Sequence, residues 1–211
     1  MEYLVTMATH VPDGISEAAV EDMRAREAAR TRELATEGHV LRLWRPPLLP
    51  GEWRTLGLFD AADRAGLESV LLSMPLRVWR TDEVVPLAPH SNDPGPQTEG
   101  ASSSHTQDGG SEFFTTFTIT VPPGTARSVV DATEGSEADR ARELAKQGKL
   151  RGLWVLPGEG RALGLWRASD DGEMQTILDS LPLRAHGRTW RPSGSLRTPA
   201  TPPWPSPDDG Y

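Results

Sequence analysis

The chain carries one stretch of sequence twice, and any fold it adopts must be one that a half-length unit can build on its own. Val11-Pro12 recurs as Val121-Pro122, and Leu43-Trp44 as Leu153-Trp154. Between them Arg30, Arg32, Glu33, Leu34, Ala35 and Gly38 return as Arg140, Arg142, Glu143, Leu144, Ala145 and Gly148, all at one spacing. After a small deletion in a loop the match resumes. Pro50-Gly51-Glu52 pairs with Pro157-Gly158-Glu159, Leu56-Gly57-Leu58 with Leu163-Gly164-Leu165, and Pro75-Leu76-Arg77 with Pro182-Leu183-Arg184. So many matches with a single gap mark a tandem duplication. Residues 91–111, rich in Ser, Gly, Asp, Pro and Gln, have too few apolar side chains to offset their ordering entropy and read as a disordered tether. The predicted organisation is a domain at 1–90, a linker at 91–111, a second, diverged domain at 112–191 and a Pro-rich tail at 192–211 that includes Trp204.

Each copy spells out the same order of elements. Tyr3 to Val11 predicts a strand, as does Phe113 to Val121, both rich in β-branched and aromatic residues. Pro12-Asp13-Gly14 and Pro122-Pro123-Gly124 are turns. A long helix follows from Ser16, its N-cap, to Glu37, with Gly38 past its end; the partner helix spans Ala126 to Gln147. Two strands come next, His39 to Arg45 and Arg54 to Phe59, then a helix over Ala62 to Ser73 and a last strand near Arg77 to Val85. The order β-α-β-β-α-β is the ferredoxin-like split unit, an antiparallel sheet with both helices on one face. The fold class is therefore α+β. The open face of each sheet needs a cover, and two such units packed sheet to sheet would form a dimeric α+β barrel, an intramolecular pseudo-dimer.

Charge and motifs narrow the function. A net charge of −8 and a pI near 5.2 leave no basic stripe for nucleic acid. Without cysteine there are no disulfides, thiol nucleophiles or Cys-type zinc sites. The histidines show no ligand spacing, which predicts no metal, and there is no Gly-rich nucleotide loop or GxSxG elbow. No apolar run approaches the roughly 20 residues that span a bilayer, and no signal peptide is read. The expectation is a cytoplasmic protein acting on a small molecule without a cofactor, with no membrane or nucleic-acid partner. Trp44 and the other strand tryptophans read first as sheet packing.

One residue breaks the helix pattern. Val20, Met23, Glu27, Thr31 and Leu34 share one face of the first long helix. Glu27 thus interrupts the stripe that faces the sheet. In the second copy the stripe is Val130, Thr133, Glu137, Ala141 and Leu144, and Glu137 duplicates Glu27. An inward carboxylate is costly unless paired, and desolvation tunes it toward a general base. The plainer alternative is a position at the stripe's edge, where Arg24 or Arg30 holds Glu27 in a surface ion pair.

The first copy resembles the muconolactone Δ-isomerase family over nearly all of residues 1–91. The likeness rests on Met7 to Pro12, the helix around Glu27, Glu37-Gly38, Leu43-Trp44-Arg45, Phe59-Asp60, Pro75-Leu76, and Pro86-Leu87 with His90 behind. The second copy is weaker but keeps Glu137, Trp154 and Pro182-Leu183. It has Val155 in place of Arg45 and Glu134 in place of Arg24. The resemblance implies subunits that pair through their sheets into homo-oligomers, and a cofactor-independent isomerase that moves a double bond in an unsaturated γ-lactone. It implies Glu27, and Glu137 as its duplicate, as the proton-shuttling carboxylate. It implies Arg24 or Arg45 as the group that holds the substrate carboxylate or the dienolate. Trp44 and His90 are the remaining substrate-contact candidates. The retained arginines place the working site in the first copy, with the second completing the barrel. Two alternatives remain open: an isomerase or cyclase of specialised, polyketide-like metabolism, and a non-catalytic binding barrel.

Overall fold

Alternation builds the first strand. β1 (Glu2–Thr9) buries Tyr3, Val5, Met7 and Thr9 and leaves the residues between them half-buried. The structure, a computed structural model, describes residues 1–46, 53–95, 110–182 and 198–199. The chain divides into two compact units, one built on Met1–Leu87 and one on Ala88–Ala200.

In the first unit β1 is followed by α1 (Glu17–Thr36), β2 (Val40–Trp44), β3 (Arg54–Asp60), α2 (Arg64–Leu72), a 3-10 turn (Pro75–Trp79) and β4 (Arg80–Pro89). The strand order is β2-β3-β1-β4, every pairing antiparallel, as the split unit requires. Ser16 caps α1, its Oγ accepting the Ala19 N–H at 3.3 Å, and Gly38 ends it at φ +80°. Tyr3, Val5 and Met7 pack with Leu34 of α1, Phe59 of β3, and Leu67 and Leu71 of α2. The expected strand at 77–85 starts late. Pro75 opens a tight turn instead, Met74 C=O accepts the Arg77 N–H at 3.0 Å, and extended backbone begins only at Arg80.

The second unit repeats the scheme with β5 (Ser111–Thr118), α3 (Arg127–Lys146), β6 (Leu150–Val155), β7 (Arg161–Ala168) and α4 (Asp171–Asp179). Its order is β6-β7-β5, and β8 (Thr198–Pro199), within the segment read as a tail, pairs with Ser111 and Glu112 where β4 would pair with β1. The segment after the first copy also belongs here: Ala88 and Pro89 pair with Val155 and Trp154. Residues 91–95, placed in the tether by composition, are ordered parts of this unit, while 96–109 and Trp204 lie outside the described residues. Among the described residues no helix is long and apolar enough to cross a membrane.

The two long helices start differently. Ala126 occupies the N-cap of α3 with extended backbone but has no side chain to accept a hydrogen bond. Ala126→Ser is expected to raise stability by about 1 kcal/mol, read as a higher urea midpoint with unchanged slope.

Candidate active site

Glu27 lies where the helical spacing puts it, on the inward face of α1 and 8% exposed. Both carboxylate oxygens are engaged. Oε2 accepts the Leu76 N–H at 2.8 Å, and Oε1 accepts Arg80 Nη1–H at 3.0 Å. Arg80 is itself buried and donates Nε–H to Asp82 at 2.6 Å and Nη2–H to the same carboxylate at 3.1 Å. Arg77 joins the chain of charges, 3.5 Å from Asp82 and 3.1 Å from Glu68. The turn at Pro75–Trp79 makes this possible, because it presents the Leu76 N–H to the helix and aims Arg80, the first strand residue, inward. Burial pushes the Glu27 carboxyl above its ordinary range. The Leu76 N–H and Arg80 oppose that rise without cancelling it.

The second unit treats the same helix position differently. Glu137 lines a cavity of about 80 Å³, on the order of six waters' space. The remaining wall is mostly apolar, with Phe117, Leu150, Leu153 and Trp166 prominent, and His90 and Asn92 supply polar groups. Trp166 is fixed by its indole N–H, which donates to Thr115 Oγ1 at 2.7 Å, and by an edge-on contact with Phe117 at 6.2 Å. The ring lies over Gly164, where a Cβ would stand 2.5 Å from Trp166 Nε1. In the duplicated frame Val5, Met7 and Phe59 stand where Thr115, Phe117 and Trp166 do. The hydrogen bond that orients the larger ring is thus particular to the second unit.

His90 is held tightly against β6. Its backbone N–H donates to Leu153 C=O at 3.3 Å, and Asp93 N–H returns to His90 C=O at 2.9 Å. Asp93 Oδ1 accepts the Leu153 N–H at 2.8 Å, taking over a strand edge that would otherwise need another strand. Burial holds the imidazole pKa down, against a smaller opposing pull from Asp93.

The structure therefore brings Glu137 and His90 to one cavity, within the second unit. Arg24 is 2.6 Å from Glu21 and stacks over Trp53, and Arg30 is 2.8 Å from Glu33, so the cation against Glu27 is neither of them. Arg45 is exposed just past β2, and Trp44 is buried with Arg42 over its ring. The residue missed by sequence reasoning is Arg80. Its signal was the pair Arg80 and Asp82, two apart and hence on one face of a strand. Among the described residues no group of three or more His, Asp or Glu side chains is placed to hold a metal.

Residues 1–93 and 111–194 each match the muconolactone delta-isomerase family model. The chain belongs to this family, with its domain present twice. A muconolactone delta-isomerase of Cupriavidus pinatubonensis is 33% identical over 90 residues, 43% of this chain and 95% of the relative. One from Acinetobacter lwoffii is 31% identical over 90 residues, 43% of this chain and 91% of the relative. The fold also matches chlorite dismutase from Candidatus Nitrospira defluvii with a TM-score of 0.61 at 9% identity, over 95% of this chain and 91% of that one. That likeness is one of fold alone, of the ferredoxin-like α+β class.

Within this family member the Glu27 network has a clear stability consequence. Arg80→Met removes the buried cation shared by Glu27 and Asp82 and is expected to cost about 3 kcal/mol at neutral pH. The cost should shrink as pH falls and Glu27, whose pKa burial raises, protonates. In the wild type, Glu27's raised pKa means that folding favours its protonated form. Its contribution is greatest at low pH and declines as pH rises through the ordinary carboxylate range toward the higher folded value. Urea unfolding of wild type and Glu27→Gln from pH 4 to 8 should show the wild type losing ground relative to the variant over that window.

Proposed function

We propose that the chain is a cofactor-independent isomerase that moves a carbon–carbon double bond in an unsaturated γ-lactone, muconolactone or a close relative, with Glu137 as the proton-shuttling carboxylate. The observation that carries this reading is the helix glutamate on the wall of a mostly apolar cavity, in a chain that belongs to this isomerase family. The chemistry needs little else. The proton on the saturated ring carbon is acidified through the conjugated C=C–C=O system. Glu137 removes it, the electron pair delocalises onto the carbonyl oxygen as a dienolate, and the resulting carboxylic acid returns the proton two carbons along, beside the carbonyl. An apolar wall excludes water that would exchange the proton or hydrate the dienolate.

Glu137 is preferred over Glu27 because it lines the apolar cavity, whereas Glu27 is built into the first unit's packing. Both oxygens of Glu27 already accept hydrogen bonds from buried partners, and moving a proton through either would break a bond that holds the turn before β4. In this reading Glu27 keeps the ancestral position and serves the fold.

The test is turnover of muconolactone, followed by the loss of the substrate's absorbance, in single variants. Glu137→Gln should lower kcat by about a thousandfold, within the 10²–10⁴ that a general base supplies. Glu27→Gln should keep kcat within a few-fold of wild type. Loss of turnover in Glu27→Gln with Glu137→Gln still active would move the site to the first unit. Binding of the lactone without turnover by the wild type would favour the non-catalytic barrel.

A further inference from the structure

The segment His90 to Asp93 belongs to the second unit and puts a histidine on the cavity wall with its tautomer already chosen. His90 Nδ1 accepts the backbone N–H of Asn92 at 3.1 Å. A ring nitrogen that accepts carries no proton, so the neutral ring holds its single proton on Nε2. His90 lines the same cavity as Glu137. Its backbone is pinned on both sides, through Leu153 C=O and through the Asp93 carboxylate on the Leu153 N–H. Asp93 Oδ2 also accepts the Gly95 N–H at 3.1 Å, which closes the turn that presents the histidine.

We propose that His90 is the hydrogen-bond donor to the developing oxyanion: the Nε2–H of a neutral imidazole, facing a substrate whose proton Glu137 moves, with Asp93 as its positioning residue. This rests on the assignment of Glu137 and adds the electrophile that the assignment lacks. As Glu137 takes the ring proton, the C–H electron pair becomes part of the diene and the carbonyl π pair moves to oxygen. The Nε2–H shares its hydrogen with that oxygen and keeps it. When the carboxylic acid returns the proton, the carbonyl re-forms and the imidazole is unchanged. A neutral donor suits this role, because an imidazolium would give its proton to the dienolate and trap it as the enol. The Asn92 N–H enforces the donor orientation, and burial among apolar side chains keeps the ring neutral.

Four variants and one spectrum test this in the full chain. His90→Phe should lower kcat on muconolactone by about a hundredfold, the loss typical of one oxyanion donor, with KM changed only a few-fold. His90→Gln, which still offers an N–H, should recover part of that loss. Asp93→Ala should lower kcat in the same sense, and Asp93→Asn, whose amide oxygen can still accept the Leu153 N–H, should restore it. The ¹⁵N spectrum of the wild type should show His90 protonated at Nε2 at neutral pH, and binding of the saturated lactone should shift that nitrogen. Full kcat in His90→Phe alongside an inactive Glu137→Gln would overturn the role of His90 and leave the Glu137 assignment standing. A proton on Nδ1 would overturn the donor geometry whatever the rates. An active Glu137→Gln would remove the reading on which His90's role rests.

Discussion

A glutamate on the buried stripe of a long helix has to be compensated, because an unpaired carboxylate in an apolar layer is among the most expensive groups a small domain can hold. The rest of this structure follows from how each copy meets that requirement. In the first unit Glu27 draws a backbone N–H and Arg80 onto its two oxygens, and Arg80 carries Asp82 and Arg77 with it. The turn before β4 is fixed to α1 by these contacts. In the second unit the same helix position opens on a cavity whose wall is shaped by Trp166, and Trp166 is oriented by a hydroxyl that the first copy does not have. One ancestral residue thus serves packing in one unit and, in our account, chemistry in the other.

Much of the fold was legible because it rests on local rules. Ser16 before a run of helix formers, and Gly38 and Gly148 past the ends, bracket α1 and α3 within a residue or so. The three-to-four-residue spacing of Val20, Met23, Glu27, Thr31 and Leu34 put Glu27 on the inner face, where it is found. The turn at Pro75 is not legible in the sequence, because a Pro after a helix is compatible with either a turn or the start of a strand; what decides it is the Leu76 N–H reaching a carboxylate 49 residues earlier. That same misplacement hid Arg80, since a strand begun three residues too soon gives no secure inner face.

The site was less legible than the fold for a related reason. Arg24 and Arg45 sit near Glu27 in sequence or in family pattern, yet α1 turns Arg24 toward Glu21 and Trp53. The cavity beside Glu137 depends on Trp166 leaning across Gly164 to Thr115, a relation between strands that no spacing along one strand reveals. His90 is the sharpest case. Composition made the residues just after it a tether, whereas Asp93 and the backbone of His90 fasten them to β6. A few polar residues that substitute for a strand edge look, in sequence, like a linker.

In our proposal one of the two homologous glutamates faces a substrate and the other holds the fold. The most direct test is the binding stoichiometry of a saturated, non-isomerisable lactone carboxylate, measured by calorimetry with amide and indole shifts recorded in parallel. One molecule should bind per chain, with the Trp166 indole and Leu153 amide signals moving and the Leu76 amide signal still. Two molecules per chain, or a single one that shifts Leu76 and leaves Trp166 unchanged, would contradict the proposal.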